Sequence, residues 1–518
     1  MDILNLAKTA HNWNQITRAK YIYRRLLSDA PNHGSALLGS AILAEKIDQP
    51  SVALDFLKKI EGSEPVFFEA QLRAGVIQKK LKNYKKAIDH FSMALSMDPK
   101  SSTALSNRAL AYSKLGLYKP ALSDLKKLIQ LNPNSADIFY NYAIVLKKCD
   151  KNADAIKNYS KAISINPDHY MAYNNRGIAF REEKKFREAI FDFDQSVRIN
   201  PEFWDGYFNK AMTLWMIREY KLMWPLLEFR WISSGFTSSK RNFTKPLWTG
   251  QTNVKNKILL LHSEQGLGDS IQFSRYIPMI EQFNAQIFLE VEAPLVSIFQ
   301  NSFSGVKVIQ KGSALPNFDY HCPLMSLPLA FKTSEDTIPF HHNYLQVSSK
   351  DVCYWHRRLG KPKKKRVGLV WQGNPEHPND KKRSIPLTKL LPKLTDEFEW
   401  ISLQYCLSSN EETALVEDSR LVHFGEDLGD FRKTAGLCAN LDALVSVDTS
   451  VAHLSGAIGI PVFLLLTFLA DARWHENSKT TKWYPSFHLF RQDQEREWDS
   501  VIKEAMNKLH CVLRQAND

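Results

Sequence analysis

The run Asp448-Thr449-Ser450-Val451-Ala452-His453 carries the densest concentration of groups able to hold an anion. It follows an apolar stretch, Leu441 to Val447, and precedes a second one, Pro461 to Leu466, with Ser455, Gly456 and Gly459 between them. That order predicts a strand, a capped helix and a strand. Asp448, Thr449 or Ser450 can cap the helix, and its first amides, at Val451 and Ala452, then aim their positive end at a ligand such as a diphosphate. An ordinary capped crossover helix, with His453 packed on the preceding strand, has the same pattern. A second run, Ser263-Glu-Gln-Gly266-Leu-Gly268-Asp269, follows the strand-like Ile258 to His262 and leads into a predicted helix over 270–283. Gly266 and Gly268 permit a tight turn at the carboxyl end of a strand, where open α/β sheets bind ligands, and Asp269 suits the cap of the helix. The third glycine of a dinucleotide fingerprint is missing. A third group comprises Lys382 and Arg383, at the end of Asn379-Asp-Lys-Lys-Arg383, and Gln404, which closes a strand over Glu399 to Gln404.

These groups need rigid elements to position them. From Lys257 onward, short β-branched or leucine-rich runs alternate with helical stretches, which predicts parallel sheets with crossover helices. The basic stretch Gly360-Lys-Pro-Lys-Lys-Lys-Arg366 reads as a solvated linker between two Rossmann-like lobes, 257–359 and 367–518.

The first half is periodic. Prolines recur at Pro31, Pro65, Pro99, Pro133, Pro167 and Pro201, each twelve residues after an alanine, at Ala19, Ala53, Ala87, Ala121, Ala155 and Ala189. A bulky apolar residue follows each alanine by four (Tyr23, Leu57, Phe91, Leu125, Tyr159, Phe193), which is the spacing of one helix face. With these residues at a 34-residue period, residues 1–231 resemble the tetratricopeptide repeats, which implies an α-solenoid with two antiparallel helices per unit. A seventh unit has Met223 in place of alanine and Gly235 in place of proline, and is expected to cap the array. Residues 232–256 then form a connector. Asn107, Asn141, Asn175 and Asn209 share the period; an amide both donates and accepts, so such a ladder suits the backbone of an extended peptide. It equally suits packing between the helices.

Composition narrows the classes. The 518 residues, 44% apolar and 24% charged, carry a formal charge of +13, which favours anionic partners without naming one. No nucleic-acid motif accompanies the charge, so a nucleic-acid partner is not expected, and membrane association is at most peripheral. The six cysteines form no C-x-x-C pair and have no histidine at metal-ligand spacing, and the longest apolar run is too short for a bilayer, so a cytoplasmic protein without structural metal is expected. The one D-x-D, Asp192-Phe-Asp194, falls in a repeat helix and reads as surface charge.

The run E-Q-G-L-G-D, the segment from Trp371 to Leu387 with His377, Asn379 and Arg383, and D-T-S-x-x-H-L-x-G-x-x-G occur in this order over 246–492. Together they resemble the heptosyltransferase-like glycosyltransferases of family nine, and in particular the bacterial subgroup preceded by tetratricopeptide repeats. The architecture is also similar to that of O-linked N-acetylglucosamine transferases, which use an asparagine ladder for protein substrates. The resemblance implies a GT-B fold, with an acceptor lobe, a nucleotide-sugar lobe and a cleft between them. It implies Asp269 as general base, Arg383 with Lys382 on the donor diphosphate, and Asp448, Thr449, Ser450 and His453 on the donor helix. Gln404 is placed at the base or ribose. It further implies inverting transfer of a sugar from a nucleotide-diphosphate co-substrate to a protein or glycan hydroxyl, without a metal or other cofactor. The helical tail, Glu495 to Leu513, should cross back to the first lobe. A repeat scaffold with an inactive transferase domain is the alternative.

Overall fold

Alanine at a helix contact lets two backbones approach closely, and the periodic alanines do this throughout the first half. The computed structural model describes residues 3–236, 238, 240–339, 343–376 and 380–515. The repeats open with α1 (Ile3–Asn12) and α2 (Ile16–Asp29), then α3 (Gly34–Lys46) and α4 (Pro50–Lys58). They continue with α5 (Phe67–Lys80) and α6 (Tyr84–Met97), then α7 (Ser102–Lys114) and α8 (Tyr118–Leu131). Next come α9 (Ala136–Lys148) and α10 (Asn152–Ile165), α11 (Tyr170–Glu182) and α12 (Phe186–Ile199), and finally α13 (Trp204–Met216) and α14 (Tyr220–Leu227). All six in-phase alanines are wholly buried.

The turn between the two helices of each unit has its own 34-residue period, carried by the backbone. Asn14, Asp48, Lys82, Gly116, Asp150, Lys184 and Arg218 all have positive φ, between 54° and 75°. One of the seven is glycine, which is why residue types alone do not reveal this register. Asp192, read from the sequence as surface charge, is instead buried. Arg176 donates to both of its carboxylate oxygens at 2.7 Å and to Ser160 Oγ at 2.9 Å. Two repeats earlier Arg108 makes the same clamp on Asp124, with Ser92 in the place of Ser160. A buried carboxylate in this sequence needs such a partner.

Two compact units divide the chain between Asn200 and Pro201, so α13 and α14 belong to the second. This unit contains two parallel sheets. The first is built from β1 (Ile258–His262), β2 (Gln286–Val291), β3 (Val306–Gln310) and β4 (Tyr320–Pro323), in the order β3-β2-β1-β4. Its helices are α15 (Leu267–Phe273), α16 (Ile277–Glu281), α17 (Ala293–Ser302) and α18 (Leu327–Ala330), and α19 (Ser349–Leu359) leads out of it. The second sheet has β5 (Lys365–Val370), β6 (Phe398–Ser402), β7 (Leu421–His423), β8 (Ala443–Val447), β9 (Val462–Leu466) and β10 (Phe487–Arg491). Its order is β10-β9-β8-β5-β6-β7, connected through α20 (Asp380–Arg383), α21 (Leu387–Leu390), α22 (Ser409–Glu417), α23 (Phe431–Cys438) and α24 (Ser450–Ala457). The chain winds outward from β5 to β7, then restarts at β8 and winds the other way. Two Rossmann-like lobes result, with order reversals between β1 and β4 and between β5 and β8, the points where such sheets open a crevice.

Several expectations are altered. The helix expected over 270–283 begins at Leu267 and breaks after Phe273 into a 3-10 turn, then resumes as α16 with Pro278 in its first turn. Part of the connector runs along the first sheet: Trp248 N–H donates to the His321 carbonyl at 2.8 Å, and Leu247 pairs with His321 beside β4. The basic stretch is not merely solvated. Arg366 is buried in β5, donating to Glu399 at 2.9 Å and to the Gly360 carbonyl at 2.7 Å, while Lys365 pairs with Asp442 at 3.1 Å. The C-terminal helix α25 (Asp499–Gln515) does not return to the first lobe. Its Ile502, Ala505 and Leu509 join Val367, Val445 and Phe463 in the core of the second, because a 17-residue amphipathic helix finds an apolar sheet face there. Among the described residues, no helix is long and apolar enough to cross a membrane.

Candidate functional site

Each lobe presents a helix N-terminus beyond the carboxyl end of its first or fourth strand. In the first lobe α15 follows β1, with Gly266 as its cap and Asp269 in its first turn; Gly266 N–H donates to Asp269 Oδ2 at 3.3 Å. In the second lobe α24 follows β8 with Thr449 as the cap residue, and Thr449 Oγ1 lies 3.1 Å from Ser446 Oγ instead of closing on the helix amides. The two helices pack against one another. A Cβ on Gly268 would lie 2.8 Å from His453 Cδ2, so the absence of a side chain permits the contact. Neither Gly266 nor Gly268 has positive φ. The expected tight glycine turn is therefore replaced by a close-approach role for Gly268 and an ordinary extended cap for Gly266.

Arg473 joins the two sides. It sits in the 3-10 turn Ala472–Trp474 after β9 and donates to Asp269 Oδ1 at 2.6 Å, to Gln272 Oε1 at 2.7 Å and to Asp471 Oδ1 at 2.8 Å. Burial opposes its charge, but Asp471, Asp269 and Asp448 hold the guanidinium protonated even more firmly than usual. Burial also opposes ionisation of Asp471, yet the adjacent Arg473 outweighs it and holds that carboxyl below the usual range. Next in sequence, Trp474 Nε1 donates to Asp448 Oδ2 at 2.8 Å. Burial, then Asp471, pushes the Asp448 carboxyl up to about 6.

The remaining sequence-selected residues surround this hub. Arg383 donates to the Asp448 carbonyl at 3.0 Å and to Asp380 Oδ1 at 3.1 Å, which sets a guanidinium beside the start of α24. Lys382 is exposed on the same helical turn, and Ser450 is partly exposed at the first position of α24. Gln404 is buried, and its Oε1 accepts the Gln372 amide at 3.1 Å, linking the ends of β6 and β5. His453 is enclosed: Nδ1 lies 2.9 Å from Tyr484 Oη, and its ring stacks on Trp474 at 5.4 Å. Burial, then Arg473, pushes its pKa well below the usual value, which leaves a neutral imidazole. His377 and Asn379 lie outside the described residues.

Sequence reasoning missed Asp471, Arg473, Trp474 and Gln272. The one available signal was the charged and aromatic run Asp471-Ala-Arg473-Trp474-His475 directly after an apolar strand. It also missed Arg275, which is wholly buried, donates to the Trp483 carbonyl at 2.7 Å and faces the rings of Tyr344, Trp483 and Tyr484, tying the end of α15 to the second lobe.

The asparagine register divides. Asn107 donates to the Thr103 carbonyl at 2.9 Å and accepts from Lys79 Nζ at 2.5 Å, and Asn175 donates to Tyr140 Oη at 3.0 Å. Asn141 is exposed, whereas Asn209, on α13, is half-buried and engaged.

Comparison with known proteins places tetratricopeptide repeats in the N-terminal region: the family profiles match residues 69–101, 102–135, 125–157 and 170–203. Protein FlbA of Caulobacter vibrioides is 26% identical over 283 residues, 49% of this chain and 46% of FlbA. The chain thus spans about half the length of that relative. Among solved structures, YrrB, described as a TPR protein with an unusual peptide-binding site, is 20% identical over 35% of this chain and 93% of its own, with a TM-score of 0.32. MamA from Desulfovibrio magneticus RS-1 is 18% identical over 32% of this chain and 95% of its own, with a TM-score of 0.31. The C-terminal part of a TPR repeat-containing protein from Cytophaga hutchinsonii is 12% identical over 45% of this chain and 96% of its own, with a TM-score of 0.39.

Proposed function

We propose that the α/β part is a metal-independent, inverting glycosyltransferase that moves a sugar from a nucleotide-diphosphate donor to a hydroxyl, and that the repeats recruit the acceptor. One observation carries the reading: Arg473 holds Asp269 of the first lobe, and its neighbour Trp474 holds Asp448 just before α24. A carboxylate and an anion-binding helix start thus share one hub.

In this reading the donor diphosphate lies over the N-terminus of α24, at the reversal between β5 and β8, with the amides after Thr449 and the cations of Arg383 and Lys382 around it. Arg473 holds one oxygen of Asp269, and Oδ2 takes the acceptor proton. The acceptor oxygen then bonds to the anomeric carbon from the face opposite the diphosphate. The bond from that carbon to the diphosphate oxygen breaks, and the leaving group departs with the electron pair towards Arg383 and the helix amides. His453 supports Asp448 and the α24 start by packing. Gln404 orders the loop that would border the base or ribose. In the repeats, the exposed Asn141 is the rung most open to an acceptor backbone.

A panel of nucleotide sugars, screened for thermal stabilisation and slow hydrolysis, tests this. Asp269→Ala should retain stabilisation by the donor and lose turnover by about 10²–10⁴-fold, whereas Arg383→Ala should weaken the stabilisation itself. If no nucleotide sugar stabilises the wild-type protein, the transferase reading is lost and a repeat scaffold takes its place.

A further inference from the structure

The turn that carries Arg473 is held from a third side, by the last helix pair. Tyr220, at the first position of α14, is buried and lies with its Oη 2.9 Å from His475 Nε2, the rings meeting edge-on at 5.9 Å. Trp215 of α13, also buried, lies under the Arg473 guanidinium at 5.9 Å. His475 has φ of 47° with ψ of 144°, outside the left-handed helical well, a conformation that a non-glycine residue keeps only where its surroundings impose it. Two groups impose it here: Tyr220 on the side chain, and Arg491, which donates to the His475 carbonyl at 2.8 Å. The constraint is transmitted along a short path. His475 is two residues from Arg473, and Arg473 is 2.6 Å from Asp269.

We propose that Tyr220 and His475 are positioning residues: through the strained turn 471–475 they set where Arg473 meets Asp269, so that the last helix pair is part of the catalytic apparatus. The inference rests on the transferase reading for its consequence, but the physical link can be measured without turnover. It differs from a general packing role in what it predicts. Losing the hydroxyl of Tyr220 leaves the edge-on ring contact in place and removes one of the two restraints on the turn.

The test uses the full chain carrying Tyr220→Phe, and separately His475→Gly, which accepts positive φ without strain but lacks the imidazole. Amide hydrogen exchange over 471–475 and 267–270 should quicken in both variants. With a donor that the wild type hydrolyses, kcat should fall by about tenfold, near the upper end of what one hydrogen bond contributes, while KM for the donor stays within about twofold. Combining Tyr220→Phe with Arg473→Lys should be no worse than Arg473→Lys alone, as expected of residues acting through one another. Unchanged exchange in Tyr220→Phe overturns the link, as does wild-type kcat or a simple additive loss in the double variant. Faster exchange in a protein whose wild type turns over no donor keeps the link and removes the transferase reading.

Discussion

Asp448 carries opposing demands: its backbone carbonyl holds Arg383, while its carboxyl is partly buried beside Asp471 and accepts from Trp474. With the carboxyl pushed from the usual 3.8 to about 6, the folded protein binds a proton that the unfolded chain has already released between those values. The contribution of this group to stability is therefore lowest above about pH 6 and rises as pH falls through it towards about 4. Urea unfolding of wild type and Asp448→Asn should show this directly: the wild type gains relative to the variant between about pH 7 and about pH 4.5, and a constant difference would mean that the carboxyl is not held up. The spacing of Asp448, Arg383 and Asp269 within their local motifs was legible in the sequence, because each sits at a strand end or helix start. Arg473 was not. It is 204 residues from Asp269, and no local periodicity announces a partner at that distance.

At the scale of elements, the packing of α15 on α24 depends on which glycine faces the partner. A Cβ at Gly268 would press on His453, which is enclosed by Trp474 and Tyr484 and has little room to move. Gly268→Leu should lower unfolding stability by about 1–3 kcal/mol, the usual cost of overpacking. At Gly266 a Cβ would meet nothing closer than Asp269 Oδ2 at 3.7 Å, and the backbone is already extended. Gly266→Ser, which introduces a favoured cap residue, should then be neutral to within about 0.5 kcal/mol. Denaturant titration of the pair checks both, and equal losses would refute the assigned contact. The helices of the repeats were readable from alanine and proline period, and β1, β6, β8 and β9 from apolar runs, whereas β2, β3, β4, β7 and β10 were not singled out. The break in the helix after Phe273 and the final position of α25 were not, since both depend on which surface each segment finds to cover.

For the whole molecule, the boundary between the two compact units falls at Asn200, one helix pair earlier than the end of the 34-residue pattern. Arg230, just after α14, is wholly buried and donates to Glu264 at 2.7 and 2.9 Å and to Ser326 at 2.8 Å. A fragment that starts at Pro201 keeps this ion pair and should melt cooperatively. One that starts at Ser233 leaves the Glu264 carboxylate buried and unpaired, a loss of about 3–5 kcal/mol, and should fail to fold or be rapidly proteolysed. Circular dichroism melting of the two fragments decides it, and equal cooperativity would show that the last helix pair is dispensable. By itself the sequence determined the repeat period, the parallel α/β character that follows and the two strand-end motifs, because each is written in residues a few positions apart. Only the tertiary structure decided that the seventh helix pair packs with the α/β unit, that Gly268 serves contact and not a turn, and that Arg473 joins Asp269 to the neighbourhood of Asp448. Those outcomes depend on side chains distant in the chain competing for the same buried space and the same charge.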